Sequence, residues 1–231
     1  IGFDMFSAPM EGLVALDENL APMPRLATEY SISDDGLSYT FTLREGVKWH
    51  NGEDFVADDV VNTWKIVNNP DFGTYNTFGW DLVTEVAASK DGTQVTITTA
   101  EPYAPFISST GIAPIVPSSA VTDPAAFASD FGRALIGTGP FKLEEWVPQQ
   151  QISFVRNDDY WGETAILDKL IYMIVPDDNT QLVQLRTGEI QVASSDSAIS
   201  ALRLEEALGI EGVSILETPS PAWKHFDLKI I

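Results

Sequence analysis

Between Asp34 and Val67 three local signals follow one another without a gap, and together they leave little freedom in how the chain can fold there. Asp34-Asp35-Gly36 has the chemistry of a tight turn. Leu37, Tyr39, Phe41 and Leu43 then alternate with Ser38, Thr40, Thr42 and Arg44. That period of two predicts a strand with one buried face. Glu45-Gly46 interrupts the pattern, Val47-Lys48-Trp49 resumes it, and Asn51-Gly52 predicts a second turn. From about Ala57, the residues Val60, Val61, Trp64 and Val67 fall at helical spacing. Asp58 and Asp59 would occupy the first helical turn, where the helix dipole favours negative charge.

The rest of the chain alternates strand and helix patterns. Phe3, Met5, Phe6, Met10, Leu13, Val14 and Leu16 are spaced for an amphipathic helix over residues 1–16 despite Pro9, and Asp17-Glu18-Asn19 ends it in a turn. Residues 68–80 form a loop rich in Asn, Gly, Thr and aromatics, namely Phe72, Tyr75, Phe78 and Trp80. Val83–Ala87 and Gln94–Thr98 predict a hairpin around Lys90-Asp91-Gly92, with Val95 and Ile97 inward. Phe141–Leu143 and Ile152–Arg156 read as strands. The continuous apolar run Leu170–Val175 predicts a strand buried on both faces. Leu182, Val183 and Leu185 mark a helix that Gly188 ends. Short strands are expected at Ile190–Ala193 and Val213–Glu217, with a helix capped by Ser197 and running to Leu208 between them. Pro219-Ser220-Pro221 is a stiff crossover into a strand over Trp223–Ile230.

Length and charge bound the function. The 231 residues suffice for one large domain or two small ones. Thirteen Lys and Arg stand against 34 Asp and Glu, a net charge of −21. A surface this acidic repels phosphate backbones and anionic membranes, which makes nucleic acid a poor partner. No cysteine is present, so disulfides and thiolate metal sites are excluded. No run of 18 apolar residues occurs. The chain starts at Ile1 without a charged and apolar leader, which leaves a removed signal peptide or a missing start as the two readings.

Catalytic signatures are weak. The carboxylate pairs Asp58-Asp59, Glu144-Glu145, Asp158-Asp159 and Asp177-Asp178 are sequence neighbours, which diverge on a strand and lie about 100° apart on a helix. They suit helix starts and turns better than a shared substrate atom. His50 and His225 are the two histidines, without HExxH spacing, and no GxSxG elbow occurs. Gly137-Thr138-Gly139-Pro140 lacks the third Gly of a dinucleotide fingerprint and the Gly-Lys-Ser/Thr of a P-loop. Pro140 also removes a backbone donor, so the stretch reads as a structural turn into the next strand.

Several of these stretches carry a family resemblance. Gly36-x-x-Tyr39-Thr40-Phe41-x-Leu43-Arg44-x-Gly46-Val47-Lys48-Trp49-His50-x-Gly52, continued by Phe55, Ala57, Asp59, Val60 and Val61, resembles the signature of the family 5 extracellular solute-binding proteins, receptors of ABC importers. Pro22, Pro24, Arg25, Leu26 and Ala27 resemble the family's xPxLAxxW element, with Tyr30 at the Trp position. Glu101–Phe106 resembles xPYxPFL and starts a short helix, and Ile115-Val116-Pro117 resembles xIVPK with Ser118 at the Lys position. Gly137–Phe141 matches GTGPY/F. Arg156–Gly162 matches RNPDYWG with Asp158 for Pro, and Asp177–Ile190 resembles PDxxTxLxxLxxGEID. One departure is Val56, where the family usually places Thr or Ser as helix cap. Losing that hydroxyl costs about 1 kcal/mol, which Asp58 or Asp59 is expected to offset in part.

The resemblance implies an α/β fold, the first lobe of a periplasmic binding protein-like architecture (type II, cluster C) with an inserted α+β subdomain. Residues 1–19 and 137–231 would form the core lobe, residues 20–136 the insertion, and the opening strand and second lobe would be absent. It implies a non-enzymatic substrate-binding component of an ABC importer, exported to the periplasm or cell surface with or without a lipid anchor, and without a cofactor. The expected partners are a peptide or small-molecule ligand, the importer's membrane subunits and the second lobe of the same receptor. Di- or oligopeptides lead as ligands, with nickel chelates, oligosaccharides and opines also known in the family. A stand-alone interaction module is the alternative of another class. Three places would line the cleft: Phe3 and Asp4; Tyr75, Phe78 and Trp80; and Ser194, Ser195 and Asp196 with Trp223 and His225. Phe3 and Trp80 also suit a core, Asp4 a helix cap, and residues 194–196 a plain loop. Trp223 and His225 fall on the strand face opposite Phe226. The chain alone is expected to bind ligand weakly, because half of the enclosing surface lies in the other lobe.

Overall fold

The computed structural model describes residues 6–74, 79–119, 123–127, 134–193 and 204–214. The chain divides after Tyr172 into two compact units, the second also taking in Glu18–Leu20.

In the first unit, β1 (Val14–Leu16) pairs antiparallel with β2 (Pro22–Pro24). A four-stranded antiparallel sheet follows, built from β3 (Ala27–Ile32), β4 (Ser38–Leu43), β5 (Val83–Ala88) and β6 (Gln94–Thr99) in the order β3-β4-β6-β5. The alternation expected in β4 is seen: Tyr39, Phe41 and Leu43 are buried and the residues between them half-buried. Val95 and Ile97 of β6 are fully buried, as the hairpin pattern predicted. Helix α1 (Ala57–Val67) and the short helix α2 (Phe106–Ser109) add to the same core, together with loop residues such as Trp49, Phe55, Trp80 and Ile115, and the Phe106 ring stacks on Tyr39 at 3.8 Å between centroids. Val60 faces the core as expected. The deepest face of α1 runs through Ala57, Asp59, Val60, Thr63 and Ile66, while Val61, Trp64 and Val67 pack partly buried beside it.

Further along, α3 (Pro124–Ala126) is a single turn. A three-stranded sheet is formed by β7 (Phe141–Val147), β8 (Gln151–Arg156) and β9 (Lys169–Met173), in that order. In the second unit α4 (Asp178–Thr187) is capped by the Asp177 carboxylate, which accepts from the Thr180 amide, and is ended by Gly188 in a left-handed conformation. A further short helix, α5 (Leu204–Leu208), places Ala207 against Leu182 of α4.

Several expectations are corrected. Residues 6–16 are not a helix: one turn at residues 6–9 leads to extended chain and β1. The backbone carbonyls explain this. Those of Ala8, Pro9, Glu11, Gly12 and Leu13 accept from the amides of Phe141, Gly139, Ile115, Leu26 and Ala27, respectively. Acceptors engaged by distant segments cannot close i→i+4 rings, so tertiary pairing overrides the helical spacing. Lys48 makes an isolated bridge to Asp54 in place of a resumed strand. Strand β9 is not buried on both faces. Among the described residues it lies at the edge of its sheet, and its Leu170 and Tyr172 pack on the Ile152–Phe154 cluster while Ile171 and Met173 are exposed. Ile190–Ala193 and Val213–Ser214 form no strand. Residues 215–217, Ser197 and the strand expected at Trp223–Ile230 lie outside the described residues.

The start of α1 shows how the missing cap hydroxyl is offset. Asp59, three residues into the helix, turns its Oδ2 back to accept from the Val56 amide at 2.9 Å, half of a capping box. Val56 sits in extended backbone and is 46% exposed, so Thr fits there without strain. Val56→Thr is expected to raise stability by about 1 kcal/mol, read from the urea midpoint. No gain would mean that the Asp59 contact already satisfies this terminus.

Candidate functional site

Two buried carboxylates anchor the first unit. Glu11, on the extended segment before β1, is 5% exposed and carries four donors on its two oxygens. Oε1 accepts from the Tyr160 hydroxyl at 2.8 Å and from Arg25 Nε at 2.8 Å. Oε2 accepts from Thr138 Oγ1 and from Trp161 Nε1, both at 2.9 Å. Burial, and then the neighbouring carboxylate charge, push the Tyr160 phenol upward, so it stays a donor across the physiological range. Arg44, directly after β4, places its guanidinium 4.3 Å from the centre of the Trp161 ring, and Arg25 lies 5.8 Å from it. Asp59 is the second carboxylate: it accepts from Trp49 Nε1 at 3.0 Å and from the Ser118 amide at 2.7 Å. Sequence reading did not single out Glu11. Its one available signal was a lone acid amid Pro9, Met10, Gly12, Leu13 and Val14.

The Gly137-Thr138-Gly139-Pro140 stretch is a clamped turn, as its missing phosphate-loop residues implied. A side chain on Gly137 would meet the Pro9 carbonyl oxygen at 1.7 Å, and one on Gly139 would meet that of Ala8 at 2.5 Å. His50 holds the turn from the other side. Its Nδ1 accepts from the Gly137 amide at 3.2 Å, and Nε2 lies 3.0 Å from the Gly139 carbonyl. That pattern requires a neutral imidazole with its proton on Nε2. Burial first, with the Lys142 charge assisting, lowers the His50 pKa, against the opposing effect of the Gly139 hydrogen bond.

Of the expected cleft residues, Trp80 lies within the described residues. It is 1% exposed and belongs to the main core, the core alternative of its two readings. Its ring borders a cavity of about 140 Å³ lined also by Thr63, Ile66 and Val67 of α1, Thr74 and Val116. The walls are apolar, so the space suits a hydrocarbon or aromatic group and not an ion. The Trp80 indole N–H has no hydrogen-bond partner among the described residues. Phe3, Asp4, Tyr75, Phe78, Ser194, Ser195, Asp196, Trp223 and His225 lie outside them. Among the described residues no three His, Asp or Glu side chains converge as metal donors, and no helix is long and apolar enough to cross a membrane.

Removing Glu11 would strand four donors and one guanidinium charge. Glu11→Ala is expected to lose about 3–5 kcal/mol in urea denaturation, and Glu11→Gln a smaller amount. A loss below about 1 kcal/mol would show that water can replace the carboxylate. His50 gives a pH dependence of defined sign. Because its folded pKa lies below the ordinary 6.5, the unfolded chain takes up the proton first as pH falls. Its contribution is complete above that value and is lost as pH drops from there through the depressed folded pKa. His50→Gln should flatten stability against pH in this window relative to wild type; parallel curves would contradict the neutral clamp.

Comparison with known proteins agrees with this architecture. The profile "Bacterial extracellular solute-binding proteins, family 5 Middle" matches residues 21–229. The dipeptide-binding protein DppE of Bacillus subtilis (strain 168) is 29% identical over 239 residues, covering 96% of this chain and 43% of DppE. Among solved structures, the oligopeptide-binding protein AppA of Bacillus subtilis, in complex with a nonapeptide, superposes with a TM-score of 0.80 at 26% identity, covering 90% of this chain and 41% of AppA. NikZ of Campylobacter jejuni, in complex with Ni(L-His), gives a TM-score of 0.75 at 29% identity, covering 80% of this chain and 37% of NikZ. The chain spans 35% to 43% of the length of the first curated relatives it matches. With a family match across nearly its whole length and the same fold in the solved relatives, this chain belongs to the family 5 bacterial extracellular solute-binding proteins.

Proposed function

We propose that the protein containing this chain is the substrate-binding component of an ABC importer that captures a short peptide outside the cytoplasmic membrane and delivers it to the permease. The observation that carries this reading is the likeness to AppA, a peptide complex, over 90% of the chain. The dipeptide-binding relative DppE supports the same ligand class. The absence of a convergent polar cluster for catalysis in the sequence fits a receptor and not an enzyme.

In this reading the four-stranded sheet with α1 and α2 belongs to an inserted subdomain of residues 20–136, and the three-stranded sheet to the core lobe of residues 1–19 and 137–231. The second lobe completes the binding cleft. Tyr75 and Phe78 supply an aromatic wall, with Phe3, Asp4, Ser194, Ser195, Asp196, Trp223 and His225 at the other margins. Trp80 itself is held in the core.

The test is native mass spectrometry of the complete product of the encoding gene, followed by calorimetric titration. The expected result is a short peptide released on denaturation and bound with a Kd of about 1 μM or tighter. Tyr75→Ala and Phe78→Ala should each weaken binding roughly tenfold, as expected of aromatic anchors. Failure of every di- to oligopeptide in a mixed library, or retention of a metal chelate instead, would overturn the peptide assignment.

A further inference from the structure

A pocket of about 350 Å³ opens where Arg25, Arg44 and Trp161 meet, with Pro24, Pro140 and Glu163 among its other walls. Trp80, the expected cleft residue within the described residues, is not among its walls. Three observations bear on its chemistry. The first is donor accounting. A guanidinium has five N–H donors in a fixed fork. Arg25 uses Nε on Glu11, and Arg44 uses Nε on the Arg25 carbonyl at 2.9 Å. For the terminal nitrogens of both, no acceptor is found among the described residues.

The second is charge. Glu11 matches one of the two cations, and Arg44 forms no ion pair among the described residues. Glu163 lines the pocket on an exposed side chain without bonding either arginine. In a chain of net charge −21, no described carboxylate pairs with Arg44, whose side chain borders this pocket. The third is shape. Trp161 is fixed by its N–H bond to Glu11, and the Arg44 guanidinium sits over its ring at 4.3 Å, so the donors are placed before any ligand arrives. The two prolines offer rigid apolar walls beside them.

We propose that this pocket binds a small organic carboxylate. The ligand's planar carboxylate would engage the terminal nitrogens of the two arginines, and its apolar body would lie against Pro24 and Pro140. The inference does not rest on the importer reading.

The experiment titrates the intact protein with benzoate, acetate and inorganic phosphate at low ionic strength. Calorimetry and the indole ¹H–¹⁵N signals follow binding. Benzoate should saturate with a Kd of about 1 mM or tighter, acetate should bind several-fold weaker, and phosphate should bind more weakly than benzoate. Glu163→Gln removes the competing exposed carboxylate and should tighten benzoate several-fold. Arg44→Gln should weaken it at least about tenfold, and Arg44→Lys should also weaken it because the charge remains but the fork is lost. Absence of saturation by about 50 mM benzoate, a dilute-ligand limit well beyond that Kd, would overturn the proposal. So would phosphate binding as tightly as benzoate, or an unchanged affinity in Glu163→Gln. The last variant lies on the surface, so it decides the matter even where substitution of Arg44 disturbs folding.

Discussion

A carboxylate removed from water must be surrounded by donors, and at Glu11 that requirement brings distant parts of the chain to one point. Its four donors come from the segment before β3, from the turn before β7 and from the loop after β8. They lie as many as 150 residues from Glu11 in sequence. None of them has a reason of its own to approach the others closely. Once Glu11 is buried, each donor that fails to arrive leaves a buried charge less compensated, so the arrangement is cooperative. Arg25 adds the balancing charge, and Trp161, fixed by the same carboxylate, becomes the surface on which Arg44 stacks.

The extended segment that carries Glu11 also explains the glycines of the Gly137–Gly139 turn. The backbone of Ala8 and Pro9 passes so close that any side chain at Gly137 would overlap a carbonyl oxygen. The close approach is made by the amide of Gly139 donating to the Pro9 carbonyl and by His50 holding the far side. Asn157 adds a bond to the Gly139 carbonyl at 3.1 Å, which ties the end of β8 to the same turn. A glycine-rich stretch thus serves backbone-to-backbone packing here.

Local signals were legible in the sequence. Strand β4 lies in a sheet with one buried face, so its alternation survives intact. The β5–β6 hairpin, the α1 start and the Gly188 stop are set by residues within a few positions of the element itself. What failed was non-local. Residues 6–16 carry a helical spacing, but their carbonyls are claimed by partners up to 133 positions away, a fact that no local window contains. The apolar run at β9 looked buried on both faces because composition does not distinguish a strand covered on both faces from one covered on a single face. Of the candidate site, the aromatic character around Trp80 was readable, while its place in the core depended on packing beside α1. Glu11 gave no spacing signal, since its partners are scattered through three distant segments.

The two kinds of interaction divide the task. Burial of Phe41, Val95, Ile97 and Phe106 drives the main core together, but apolar contact is non-directional and tolerates many arrangements of similar volume. The carboxylates are directional. Asp59 accepts from Trp49, from the Val56 amide and from the Ser118 amide, and so fixes α1 against the preceding turn and the segment after α2. Glu11 does the same for the junction of the three-stranded sheet with the main core. Because a buried ion pair gains little net stability over a well-packed apolar substitute, its value lies in excluding alternatives. A slipped register that kept the hydrophobic area would still leave Glu11 or Asp59 without donors. The sheets therefore meet in the one arrangement in which both carboxylates are satisfied.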